Sequence, residues 1–145
     1  MRILALALTA LLTLTAIADT HGTTRENERN FPNANTITLA PVNGNSYPGE
    51  ALFERKPNGV TVLVKARGVN DRRQTVEIDR GACGKPATME RILKPLVDGS
   101  STTFVPGVHA ESWQDGKHSL RVKDPATHGG VSLCGTIVKP GFFTR

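Results

Sequence analysis

Polar and apolar residues alternate in short runs along most of this chain. Residues 59–67 read Gly-Val-Thr-Val-Leu-Val-Lys-Ala-Arg, which puts Val60, Val62, Val64 and Ala66 on one face. That is the period-two pattern of a strand with one buried side. Residues 36–40, Thr-Ile-Thr-Leu-Ala, alternate in the same way. Further stretches at 50–55, 74–79, 101–105, 118–123 and 130–138 are each bounded by Gly, Pro, Asn or Asp, so seven short strands are expected. Only residues 87–97 suit a helical turn, and Pro86 and Pro95 confine it. A parallel sheet needs crossover helices, which this chain does not offer. The expected class is therefore all-β, an antiparallel Greek-key sandwich or flattened barrel of about seven to eight strands.

The first eighteen residues break the alternation. Arg2 precedes an apolar run from Ile3 to Ile17 interrupted only by threonines, and Ala16-Ile17-Ala18 follows the small-x-small cleavage rule, so residues 1–18 read as a signal peptide. The run is shorter than the roughly 20 apolar residues of a spanning helix, and polar sequence from Asp19 follows at once, so no membrane span is expected after cleavage. Residues 19–35 are too polar to bury anything and read as a flexible leader, which leaves 36–145 as one folded domain. The expected destination is periplasmic or secreted.

Charge and cysteines sharpen this picture. The chain carries a formal net charge of +5, and removing Arg2 with the signal peptide leaves it mildly basic. The densest basic stretch, Lys65, Arg67, Arg72, Arg73 and Arg80, has no interleaved aromatics, which argues against a nucleic-acid surface. An envelope or extracellular protein, or an anionic polymer, is the kind of partner such a charge suits. The two cysteines, Cys83 and Cys134, have no CxxC spacing and are expected to pair in an oxidising compartment.

Candidate chemistry is sparse. In residues 74–79, Val76 and Ile78 point one way while Glu77 and Asp79 point the other. Two carboxylates so placed serve either as a ligand or acid/base pair or as plain solvent-facing residues, and the latter is expected. His21 lies in the leader, and His109, His118 and His128 sit on separate segments without ligand spacing, so they are read as surface or loop residues. Ser112 and Ser132 have no recognisable base, and no Gly-x-Ser-x-Gly occurs. Trp113, the only tryptophan, is expected to pack over one end of the domain. Phe142 and Phe143 either cover an edge or meet a partner.

One resemblance bears on function. The strand running into Gly81-Ala82-Cys83, and some fifty residues later a penultimate strand, a loop and Ser132-Leu-Cys-Gly-Thr-Ile137, resemble the copper/zinc superoxide dismutase family. The likeness covers residues 49–138 and is closest to small secreted members with a shortened loop after the first cysteine. It implies that the copper-binding histidine positions fall on Glu77, Asp79 and Lys123, and that the superoxide-guiding arginine position falls on Val131. No imidazole stands at any of these, and residues 84–99, which match the zinc loop, hold no histidine. Copper redox cycling needs nitrogen ligands, and a protonated lysine repels a cation. The resemblance therefore implies a non-catalytic binding or structural domain with no cofactor, its metal site degenerate. It also implies that the Lys123 ammonium pairs with Glu77 or Asp79. The alternatives are a residual metal-dependent enzyme with a divalent cation at Glu77 and Asp79, and an immunoglobulin-like adhesion module.

Overall fold

The computed structural model describes residues 34–42, 47–67, 73–127 and 130–139. The segments read as signal peptide, and all of the leader but its last two residues, lie outside the described residues, as do His21, His128, Phe142 and Phe143. Eight strands follow in order: β1 (Ala34–Pro41), β2 (Gly49–Lys56), β3 (Gly59–Ala66), β4 (Gln74–Arg80), β5 (Thr88–Leu96), β6 (Ser100–Pro106), β7 (Asp115–Asp124) and β8 (Gly130–Val138). They form one sheet in the order β5-β4-β7-β8-β1-β2-β3-β6, with every paired neighbour antiparallel. Strands β4, β5 and β6 follow one another and β7 returns to lie beside β4, which is a Greek key. The fold is an all-β barrel, flattened and nearly closed.

Closure is made at the seam between β5 and β6. A tight turn at Asp98 (φ 51°) and Gly99 (φ 73°) joins them, the left-handed pair that matches strand twist in a type I′ hairpin. Val97 and Ser100 exchange both backbone bonds across that turn, at 3.0 and 3.1 Å. Beyond it, side chains bridge the gap: the Lys94 N–H donates to Thr103 Oγ1 at 2.9 Å, and Ser101 Oγ–H donates to the Lys94 carbonyl at 2.6 Å.

The alternating residues of the sequence line the interior. Val60, Val62, Val64, Val76, Ile78, Leu120, Val122, Leu133 and Ile137 are buried in one core with Leu39, Phe53 and Trp113. Each such side chain, fully buried, contributes about 1.5–3 kcal/mol. Trp113 follows a 3-10 turn (Ala110–Ser112) and meets Phe53 edge-on at 6.5 Å. Gly135 on β8 lets β1 approach closely, since a Cβ there would lie 2.7 Å from both Leu39 Cδ2 and the Thr38 carbonyl.

Two expectations are corrected. Residues 87–97 hold no helical turn; β5 occupies them. Its buried Leu93 and Leu96 stand three apart, a helical spacing, while a register shift opposite Ile78 and Asp79 offsets Met89 and Ile92 in the same way. A bulge sets two residues against one and so produces a spacing of three on a strand. The folded part also begins earlier than expected. Asn35, assigned to the polar leader, is buried in β1 with its Nδ2 donating to the Val138 carbonyl at 2.9 Å.

Candidate functional site

The outer face of β4 and β7 carries the candidate residues. On β4, Thr75, Glu77 and Asp79 point away from the core; on β7, Ser119, Arg121 and Lys123 do so. The ladder sets Thr75 opposite Lys123, Glu77 opposite Arg121 and Asp79 opposite Ser119. Ion pairs run diagonally across this register. Lys123 Nζ donates to Glu77 Oε2 at 2.5 Å, and Arg121 Nε stands 3.4 Å from Asp79 Oδ2. Diagonal neighbours lie within reach of such long side chains. Val131 on β8 pairs with Lys123 across the next ladder. Glu77, Asp79, Lys123 and Val131, far apart in sequence, thus share one patch of surface.

The expectation that Glu77 and Asp79 face solvent is overturned. They are only 8% and 3% exposed. Lys123 and Arg121 lie against these carboxylates, and beside them the turn at residues 81–87 is tied back to β7 and β8. Cys83 and Cys134 form the expected disulfide, with their Cα atoms 5.9 Å apart. Ser119 Oγ–H donates to the Gly81 carbonyl at 2.6 Å, and Thr136 Oγ1 accepts from the Cys83 N–H at 3.1 Å. Arg121 NH2 donates to the carbonyls of Ala82 and Lys85 at 3.2 and 3.1 Å. Gly81, at φ 138°, begins the turn, and a Cβ there would meet the Pro86 carbonyl at 2.5 Å.

This environment pushes the Asp79 carboxyl above its ordinary range. Burial is the main cause and repulsion by Glu77 adds to it, against the opposing pull of Lys123 and Arg121. Its Oδ1 is a buried oxygen without a hydrogen-bond partner among the described residues. A buried carboxylate oxygen left so is costly when ionised.

A second polar cluster closes one end of the barrel, and His118 is its centre. On β7 it alternates with Leu120 and Val122 and therefore points inward; it is 7% exposed, not the surface residue expected. Nδ1 lies 2.8 Å from Asp115 Oδ1, and Nε2 lies 3.2 Å from Glu90 Oε2. Glu90 also accepts from Trp113 Nε1 at 3.1 Å and pairs with Arg80 at 3.2 Å. His109 stays exposed as expected. Among the described residues no three His, Cys, Asp or Glu side chains are grouped so as to hold a metal ion.

Arg121, Glu90 and the inward role of His118 are not among the residues the sequence motifs single out. The alternation that singles out Glu77 and Asp79 also places Arg121 outward and His118 inward, whereas Glu90 carries no such signal because bulges break the alternation of β5. Comparison with protein-family models, curated protein sequences and solved structures returned no match to this chain.

Proposed function

We propose that this chain is an exported, non-catalytic superoxide dismutase-like domain with a binding or structural role in the cell envelope or outside the cell. The observation that carries this reading is the Lys123–Glu77 pair, which puts an ammonium 2.5 Å from a carboxylate oxygen on the patch where the resemblance locates copper. Arg121 holds the neighbouring carboxylate of Asp79. Two cations bonded to two carboxylates do not fit a copper or zinc centre, which needs unprotonated nitrogen or thiolate donors facing the ion. The Greek-key barrel, with a disulfide tying the turn after β4 to β8, agrees with the fold that the resemblance implies.

Export is supported by the disulfide, which oxidising compartments favour, and no helix among the described residues is long and apolar enough to cross a membrane. The immunoglobulin-like alternative is disfavoured because its cysteines join two facing sheets across a core tryptophan. Here Cys134 alternates with the inward-facing Leu133, and its bridge joins a turn on the outside of the barrel.

One observation favours a second reading, a divalent cation held by Glu77 and Asp79: the buried Asp79 Oδ1 has no hydrogen-bond partner among the described residues. Elemental analysis of the purified protein, with a superoxide dismutation assay after copper and zinc loading, separates the two. The first reading expects no stoichiometric metal and no dismutation above that of the free ions. It also expects Lys123→Ala to raise affinity for a hard divalent cation such as Mn2+, by removing the competing charge. Stoichiometric copper with turnover in the unaltered protein would overturn the first reading in favour of the second.

A further inference from the structure

The end of the barrel described above contains a device that the proposed role does not use. His118 has a carboxylate oxygen against each ring nitrogen, Asp115 Oδ1 on one side and Glu90 Oε2 on the other. An ionised carboxylate only accepts hydrogen bonds, and a neutral imidazole has a single N–H to give. Only the doubly protonated ring can bond both. We propose that His118 is a pH-operated latch: charged, it clamps β7 to β5 through Glu90 and holds Trp113 in place; neutral, it releases Glu90 and loosens this end of the barrel.

The facing groups decide which bond is lost. Asp115, on the same strand, is the nearer acceptor, and its Oδ1 is further fixed by the Lys117 N–H at 2.8 Å. The proton of a neutral ring therefore stays on Nδ1, and the lone pair of Nε2 turns toward Glu90. From β4 the only charged group here is Arg80, which shares Glu90 Oε2 at 3.2 Å. From β8, Ile137 faces His118 across the ladder and carries no charge. Glu90 is thus released by His118 toward Arg80 and solvent, and its other oxygen is the one that holds the Trp113 indole at 3.1 Å. Both carboxyls stay ionised throughout the range in which imidazole titrates. At Glu90 burial works upward but is outweighed by the bonds from Trp113 and His118, and at Asp115 the bond from His118 dominates; each ends below its ordinary range. Imidazole is the side chain whose ordinary titration falls between about pH 5 and 8, which sets the range over which the latch is tested.

The test is an NMR titration of the full chain from pH 5 to 8.5, following the His118 ring nitrogens and the Trp113 indole N–H together. The expected result is one shared midpoint for the two signals. Across it, indole hydrogen exchange, corrected for intrinsic base catalysis, should rise about tenfold, the factor equivalent to about 1.4 kcal/mol. Asp115→Asn, at a partly exposed position, removes one of the two charges that favour the imidazolium and should move both midpoints down in step. His118→Gln should leave the indole signal flat with pH. An indole signal that does not respond to pH in the unaltered protein overturns the latch. So does one whose midpoint stays put in Asp115→Asn while that of the ring moves, and this second criterion stands even where His118→Gln does not fold.

Discussion

Replacing Arg121 by Met keeps the volume of the side-chain stem and removes the guanidinium, which isolates what that group does. Arg121 and Asp79 have side chains 14% and 4% exposed, so little solvent screens the pair. Four contacts go: the two turn carbonyls, Ser119 Oγ at 3.1 Å and the Asp79 carboxylate. Removing one partner of a buried ion pair costs about 3–5 kcal/mol, mostly because the other charge is left uncompensated. The separation of 3.4 Å is long for a charge-assisted bond, which places the expected loss at the lower end, about 3 kcal/mol at pH 7. In a domain of this size that is a fall in Tm of about 12 °C. Urea unfolding followed by the fluorescence of Trp113, which is 1% exposed, measures it. The pH dependence tests the cause. The Asp79 carboxyl already sits above its ordinary value in the folded state, so its ionisation costs stability at neutral pH, and that cost disappears as pH falls through the raised folded value toward the ordinary one. Without Arg121 the cost is larger, so the gap between the two proteins should narrow from pH 7 to pH 4. Asp79→Asn in the Arg121→Met background should recover about 1–2 kcal/mol at pH 7. A loss below about 1 kcal/mol, or one identical at both pH values, would refute the view that Arg121 compensates a buried charge.

Reducing the disulfide, which spans a sequence separation of 51, should lower stability by about 4 kcal/mol on the chain-entropy model, measured by urea unfolding with and without reductant. Gly135→Ala should cost about 1–3 kcal/mol through overpacking against Leu39 and the Thr38 carbonyl, read by the same assay. On the acid side the sign reverses relative to Asp79. Glu90 and Asp115 are held below their ordinary values, so the stability they contribute is complete above the unfolded values and is lost as pH falls through the lower folded ones. Glu90→Gln should therefore be less stable than the unaltered protein at pH 6 and should approach it below about pH 4, as acid-unfolding curves would register.

The strands were legible because burial on one face writes itself directly into alternation: Val60, Val62, Val64 and Ala66 could hardly read otherwise. The disulfide was legible for a different reason, as two cysteines allow a single intramolecular pairing. What escaped was whatever depended on contacts distant in sequence. Glu77 and Asp79 are outward-facing, as their alternation implies, yet they are buried beneath contacts with Lys123 and Arg121, more than forty residues farther along. Strand β5 was hidden by its bulge, which spaced Leu93 and Leu96 as a helix would. The expected pairing of Lys123 with Glu77 or Asp79 is met at Glu77. Its partial burial was not legible, because it depends on how neighbouring side chains pack around the pair.

The hydroxyl-bridged seam gives the barrel a defined line of weakness. Elsewhere neighbouring strands share a backbone ladder, whereas β5 and β6 are held past their turn by the two hydroxyls of Ser101 and Thr103. Opening the barrel along this line would break the fewest backbone bonds, and it would bare two strand edges that a second chain could pair with. Both edges carry their own obstruction. Pro106 on β6 lacks the N–H that an invading strand would need, and Lys94 stands exposed on β5. These features oppose strand addition at the seam, against the exposed Ile92, Val97 and Phe104 of the same region, which favour it.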